Sequence, residues 1–309
     1  MNRYLVILLI ITLTTSCKIK FLKPDLITSD PNSHYITGDY INLSKVQLTD
    51  QMMDEYLNNG NGYMLCFSGT LTTQSMDIIK DYIRKSNKYI YLDLKNCTGI
   101  TSMRDGNFAN LEYLAGIKLP HDVNNMGKRI FENCRNLTNV MLPLSLVGIG
   151  DYSFQNTDKL KEMHIPDTIA YMYQYAFKNC SLEIFVMPDN LKRLGVEGLM
   201  GAKDLKIIVV NQVFEWFRAR SLVDTPNLET IIYYGTKLST VQFEGNSVFS
   251  GKPQKEITLY LPNVERGEED FSRWGGYSWK DVKYKGEFDI KELLGDYDLS
   301  AYESSYIDQ

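Results

Sequence analysis

"FENCRNLTNVMLP", Phe131 to Pro143, runs into "LSLVGIGDYSF" and then into "QNTDKLKEMHIP", a second version of the first stretch that ends on Pro166. The two versions agree at only a few letters, and the prolines show which. Pro120, Pro143, Pro166 and Pro188 stand 23, 23 and 22 residues apart. Three residues after each anchor come Val123, Leu146, Ile169 and Leu191. Six after come Met126, Ile149, Met172 and Leu194, and eleven after come Phe131, Phe154, Phe177 and Leu199. One before stand Leu119, Leu142, Ile165 and Met187; three before stand Ile117, Val140, Met163 and Phe185. Asn211 takes the place of a fifth proline, with Phe214, Phe217 and Leu222 following in step. Apolar columns repeating every 20–30 residues or so are the mark of a solenoid.

The columns also give the shape of one coil. Val140 and Leu142 are two apart and share one face of a strand. Pro143 ends it, having no N–H for a ladder. "SLVGIGDYSF" crosses back with apolar residues at the wider spacing of a turn or short helix. Stacked coils then align their strands in a parallel sheet, ~4.8 Å from neighbour to neighbour. Asn110, Asn133, Asn156 and Asn179 form a further column, suited to turning the backbone because asparagine tolerates the left-handed region. Cys134 and Cys180 share a column two coils apart. That is roughly 9.6 Å, beyond the ~7 Å limit for bridged Cα atoms, so both are expected as buried thiols.

"IFENCRNLTNVMLP", "SFQNTDKLKEMHIP" and "AFKNCSLEIFVMP" resemble the 23-residue repeat of BspA-like leucine-rich-repeat surface proteins of bacteria. That repeat reads aromatic-x-x-Cys-x-x-Leu-x-x-hydrophobic-x-hydrophobic-Pro. "YLDLKNCTGITSM" resembles the family's first coil, and "ITLYLP" and "WKDVKYKG" its closing segment. The resemblance covers roughly Tyr89 to Gly286 and weakens after Gly201. There Ala202-Lys203 stands for Asn-Cys and no proline is in step until Pro262, which predicts less regular later coils. The fold class expected is an α/β repeat solenoid: a right-handed leucine-rich-repeat coil with a parallel β-sheet and a small α/β N-terminal cap. The resemblance implies a cell-surface protein that binds other proteins, with adhesion to host-matrix or neighbouring-cell proteins known among such proteins.

Five segments follow. Residues 1–16 read as a signal peptide: Arg3, the apolar run Tyr4 to Leu13, then "TTSC" ending on Cys17. The run is too short to span a bilayer comfortably. The stretch resembles a bacterial lipoprotein signal, which implies cleavage before Cys17, lipidation of its thiol, and a location outside the cytoplasm, at an outer membrane or cell surface. An ordinary secretory signal with a chance cysteine is the alternative. Residues 17–39 read as a tether and linker. Residues 40–88 read as the cap, with helices over Thr49–Gly60 and Thr72–Asn87 and "YMLCF" as a strand. Residues 89–285 are the solenoid. Residues 286–309, acidic and tyrosine-rich, read as a solvated, disordered tail.

Catalysis finds no foothold. His34, His121 and His164 fall in a linker, a turn and a strand. No His-Glu-x-x-His, Cys-x-x-Cys or Gly-x-Ser-x-Gly pattern occurs. The net charge of −5 gives no positive field for nucleic acid. No cofactor or metal is expected, and no membrane contact beyond the N-terminal lipid. Strand alternation puts the residues two and four before each anchor on the open sheet face. The first three coils place Gly116, Asn139, Glu162, Lys118, Met141 and His164 there. The next three place Ile184, Val186, Ile207, Val209 and Ile232, an apolar patch. It reads either as a docking surface for a protein partner, or as a face covered by the chain's own tail or by a second copy in a dimer, or as a stretch where both faces of the sheet are core. A passive envelope-surface or self-associating scaffold without a host ligand is the competing functional reading.

Overall fold

The computed structural model describes residues 36–37, 40–61, 63–249 and 256–294. The signal segment, Cys17, His34, nearly all of the tether and the tail from Gly295 lie outside them. Two main sheets run along the chain. The first orders Ile36–Thr37, Tyr40–Asn42, Met64–Thr70, Ile90–Thr98, Leu114–Lys118 and Asn139–Met141. The second orders Ile184–Val186, Ile207–Val210, Thr230–Tyr233, Thr258–Leu261 and Asp281–Tyr284. All pairs are parallel except Ile36–Thr37 with Tyr40–Asn42. The pairing follows the proline columns: Gly116 faces Asn139, Ile117 faces Val140, and Ile184 faces Ile207. Between Met141 and Ile184 no strand of this face is assigned, so the ladder breaks at the Lys161–Pro166 coil. On the return side, two-residue strands such as Gly148–Ile149 and Tyr171–Met172 pair in parallel as well.

The cap forms as its sequence predicts. Thr49 caps the helix Asp50–Tyr56, accepting from Met52 N, and a turn through Gly60 at φ 94° closes it. Thr72 and Ser75 cap the helix Thr73–Lys85 reciprocally, and the helix buries Met76, Ile79, Tyr82 and Ile83. Its strand Met64–Thr70 pairs with Ile90–Thr98, so the cap prolongs the sheet and covers the first coil.

Each coil has one filled interior. Phe108, Phe131, Phe154 and Phe177 stack with centroids 5.6, 5.2 and 4.9 Å apart. The asparagine column is a ladder: Asn133, Asn156 and Asn179 each donate from Nδ2 to the Oδ1 of the asparagine one coil earlier, at 2.9, 2.7 and 3.0 Å. All four sit at φ 55–60°. Gly201 at φ 73° and Asp224 at φ 55° continue the column. The cysteine column continues as Ala202 and Thr225, both fully buried. The step beyond Asn179-Cys180 is therefore Gly201-Ala202, one residue earlier than the Ala202-Lys203 read from the sequence. The later coils are regular rather than loosened. Asn211 does the work of the missing proline with hydrogen bonds: its Nδ2 reaches Pro188 O at 2.6 Å and Leu191 O at 2.8 Å, and its Oδ1 accepts from Val213 N.

Cys134 and Cys180 are buried free thiols, as is Cys97. Burial pushes all three up to about 12, so none is a poised nucleophile. The C-terminal boundary differs from expectation. Gly286 opens onto a helix, Ile290–Leu294, because Ile290, Leu293 and Leu294 present one apolar side to an apolar surface waiting for it.

Candidate functional site

The open face of the sheet has two unlike halves. In the first, Tyr91 stands exposed over Gly116, where a Cβ would lie 2.5 Å from its ring. Asp93 is buried and paired with Lys118, Nζ to Oδ2 at 3.3 Å, while its Oδ1 accepts from Lys95 N at 3.0 Å. Tyr89 packs on Tyr113 with centroids 5.9 Å apart, and the Lys159 ammonium lies 5.8 Å from the Tyr89 centroid. Asn139 and Glu162 are exposed, and Met141 and His164 half-buried. Burial holds the His164 imidazole below its usual range, and Asp167 offsets this in part. Tyr91 and Asp93 belong to this face but escape the column reading. The pairing slips between Ile90 and Tyr91, which set against Leu114 and Gly116, so spacing from the next coil misplaces them.

The second half is closed. Ile184, Val186, Ile207, Val209 and Ile232 are all at most 8% exposed. They form a separate small core with Tyr234 and Leu294, against which Ile290, Leu293 and Tyr260 pack. The five side chains expected as a candidate docking face are thus covered by the chain's own C-terminal helix. Three apolar strands buried on both faces need a second layer, and the helix supplies it. Its approach is pinned by Arg266, which grips Glu287 at 2.6 and 2.8 Å. This guanidinium, helped by Tyr284 N, holds the Glu287 carboxyl down to about 2. Ending the chain at Gly286 should bare the patch. We expect a rise of several-fold in ANS fluorescence and self-association in sedimentation; an unchanged signal would mean that other residues cover it.

Among the described residues no three His, Cys, Asp or Glu side chains are grouped to hold a metal, and no helix is long and apolar enough to cross a membrane.

A sequence profile described as the BspA type Leucine rich repeat region matches residues 77–206 and 127–256, in 6 copies. The chain belongs to the BspA-type leucine-rich-repeat family. No curated protein matches this BspA-type chain. Several solved structures are similar to it, among them these three. The T. pallidum leucine rich repeat protein is 19% identical over 49% of this chain and 72% of its own, with a TM-score of 0.43. A leucine-rich repeat protein from Bacteroides ovatus is 17% identical over 60% of this chain and 64% of its own, with a TM-score of 0.37. The pneumococcal vaccine antigen PcpA is 18% identical over 56% of this chain and 42% of its own, with a TM-score of 0.47. Likeness at this level speaks to no ligand. The profile match makes the repeated unit a BspA-type coil; what its faces hold is particular to this chain.

Proposed function

We propose that this BspA-type protein is a non-enzymatic, lipid-anchored scaffold carried outside the cytoplasm, which binds a protein partner on the open half of its sheet face. The supporting observation is the contrast between the two halves. The second is sealed by the chain itself, whereas the first carries exposed aromatic and polar side chains on its strands and on the Lys161–Pro166 coil beyond them, with no layer over them among the described residues. Tyr89, Tyr91, Asn139 and Glu162 serve no core, and tyrosine combines large contact area with a polar tip. Adhesion to a host-matrix or neighbouring-cell protein is the role this arrangement suits.

A panel of purified extracellular-matrix and cell-surface proteins tests it. The chain carrying Asn139→Arg and Glu162→Lys should fold normally, since both residues are exposed, and lose partner binding at least tenfold. A partner held equally well by both forms would place the contact elsewhere. Lipid anchoring is tested separately. Cys17→Ser should abolish fatty-acid labelling and move the protein from the membrane to the soluble fraction; unchanged labelling would overturn it.

A further inference from the structure

The return side of the coils carries a feature that the sheet face does not share. Seven residues after successive anchors stand Gly127, Gly150, Tyr173, Gly195 and Arg218. Glycine is needed at Gly150 and Gly195 because a Cβ there would strike a backbone carbonyl of the preceding coil, that of Gly127 or of Tyr173. Two coils break the glycine row; the first does so with Tyr173 and, two residues before it, adds Tyr171 beside Gly148. Both rings are out in solvent, 53% and 58% exposed, with centroids 6.4 Å apart and planes 26° from parallel.

On the other side of bare Gly195 stands Arg218. Two coils separate it from Tyr173, roughly 9.6 Å. The result is a cleft of about 710 Å³, floored by Gly195 and Met172 and bordered by Gln174, Lys192 and Arg193. That volume lies within the usual range for small-ligand sites. Arg218 is held by Glu244 at 2.6 Å and Lys192 by Glu215 at 3.2 Å. Arg193 is exposed and makes no ion pair with the described residues.

We propose that this cleft binds an acidic saccharide, with sugar rings lying on Tyr171 and Tyr173 and the acid group taken by Arg193. A guanidinium fork matches a carboxylate or a sulfate bidentately. The exposed Gln174 at the border offers an amide for hydroxyls. The backbone argues against a peptide: Tyr173 N is already bonded to Ile149 O, Arg218 N to Leu194 O, and Arg193–Leu194 are paired to Trp216–Phe217. An extended peptide would therefore find no free ladder to join. The site is independent of the sheet face and stands or falls without it.

Calorimetric titration of the full chain with sialyllactose, a sulfated heparin disaccharide, lactose and an acidic hexapeptide tests this. One acidic sugar should bind at least tenfold more tightly than lactose, and which of the two does so separates carboxylate from sulfate as the acid. Tyr173→Ala and Arg193→Ala should each weaken it tenfold or more with an unchanged melting temperature, while Tyr173→Phe keeps binding. Lactose bound as well as the acidic sugars, the hexapeptide bound more tightly than either, no acidic sugar bound at all, or variants without effect would each overturn the proposal.

Discussion

Replacing Phe154 with alanine is expected to cost about 3–5 kcal/mol, read as a fall in the urea midpoint. The ring is fully buried and lies between Phe131 and Phe177, at 5.2 and 4.9 Å. Its loss leaves a cavity that the flanking coils cannot fill, because the backbone ladders fix their spacing. It also removes two ring stacks, each worth ~0.5–1.5 kcal/mol beyond burial. Coils touch only their neighbours, so the damage should stay local. Amide exchange should quicken first around Phe131 and Phe177 and least in the cap. A cost below about 1 kcal/mol would mean that the ring column does not hold the coils together.

Gly150→Ala is expected to destabilise by about 3 kcal/mol, the upper end for overpacking. The added carbon would collide with the Gly127 carbonyl and lie 3.1 Å from Lys128 N. Those are backbone atoms, so no side-chain rotation relieves the contact and the coils must part. Gly148→Ala is the control, because there the nearest atom would be Tyr171 O at 3.4 Å. That is ordinary contact, and its cost should be under about 1 kcal/mol. Equal melting temperatures for the two variants would show that close coil approach is not what selects glycine at position 150.

The coil itself is legible in the sequence because burial is periodic. Val140, Leu142, Phe154 and their counterparts answer to the same packing in every coil, and proline spacing fixes the pairing of the strands. The asparagine ladder is legible for the same reason, since the left-handed turn restricts the choice of residue. The second left-handed position in each coil is not. Arg129, Tyr152, Tyr175, Glu197 and Arg220 all have φ of 52–61°, yet no single residue type fills the column. What steadies them is contact with each other, such as Tyr152 on Tyr175 at 4.5 Å and Arg220 with Glu197 at 3.1 Å. On the sheet face, alternation correctly brings Ile184, Val186, Ile207, Val209 and Ile232 together. It could not tell a bare patch from a covered one, because the cover comes from Leu294, far along the chain, and a five-residue helix leaves little periodic signal. The break of the ladder at Lys161–Pro166 has no mark in the columns, which continue through it unchanged.

The covering helix also sets an order of events in synthesis. Ile232 and Leu294 are 62 residues apart in the chain (294 − 232). At ~5–20 residues per second that is roughly 3–12 s of elongation. Throughout that interval the five apolar side chains have emerged or are emerging without their lid. The chain therefore carries this apolar surface uncovered until Leu294 has been made. Stalled or prematurely ended products would be the species that aggregate, and a holding chaperone would act on the interval between Ile232 and Leu294.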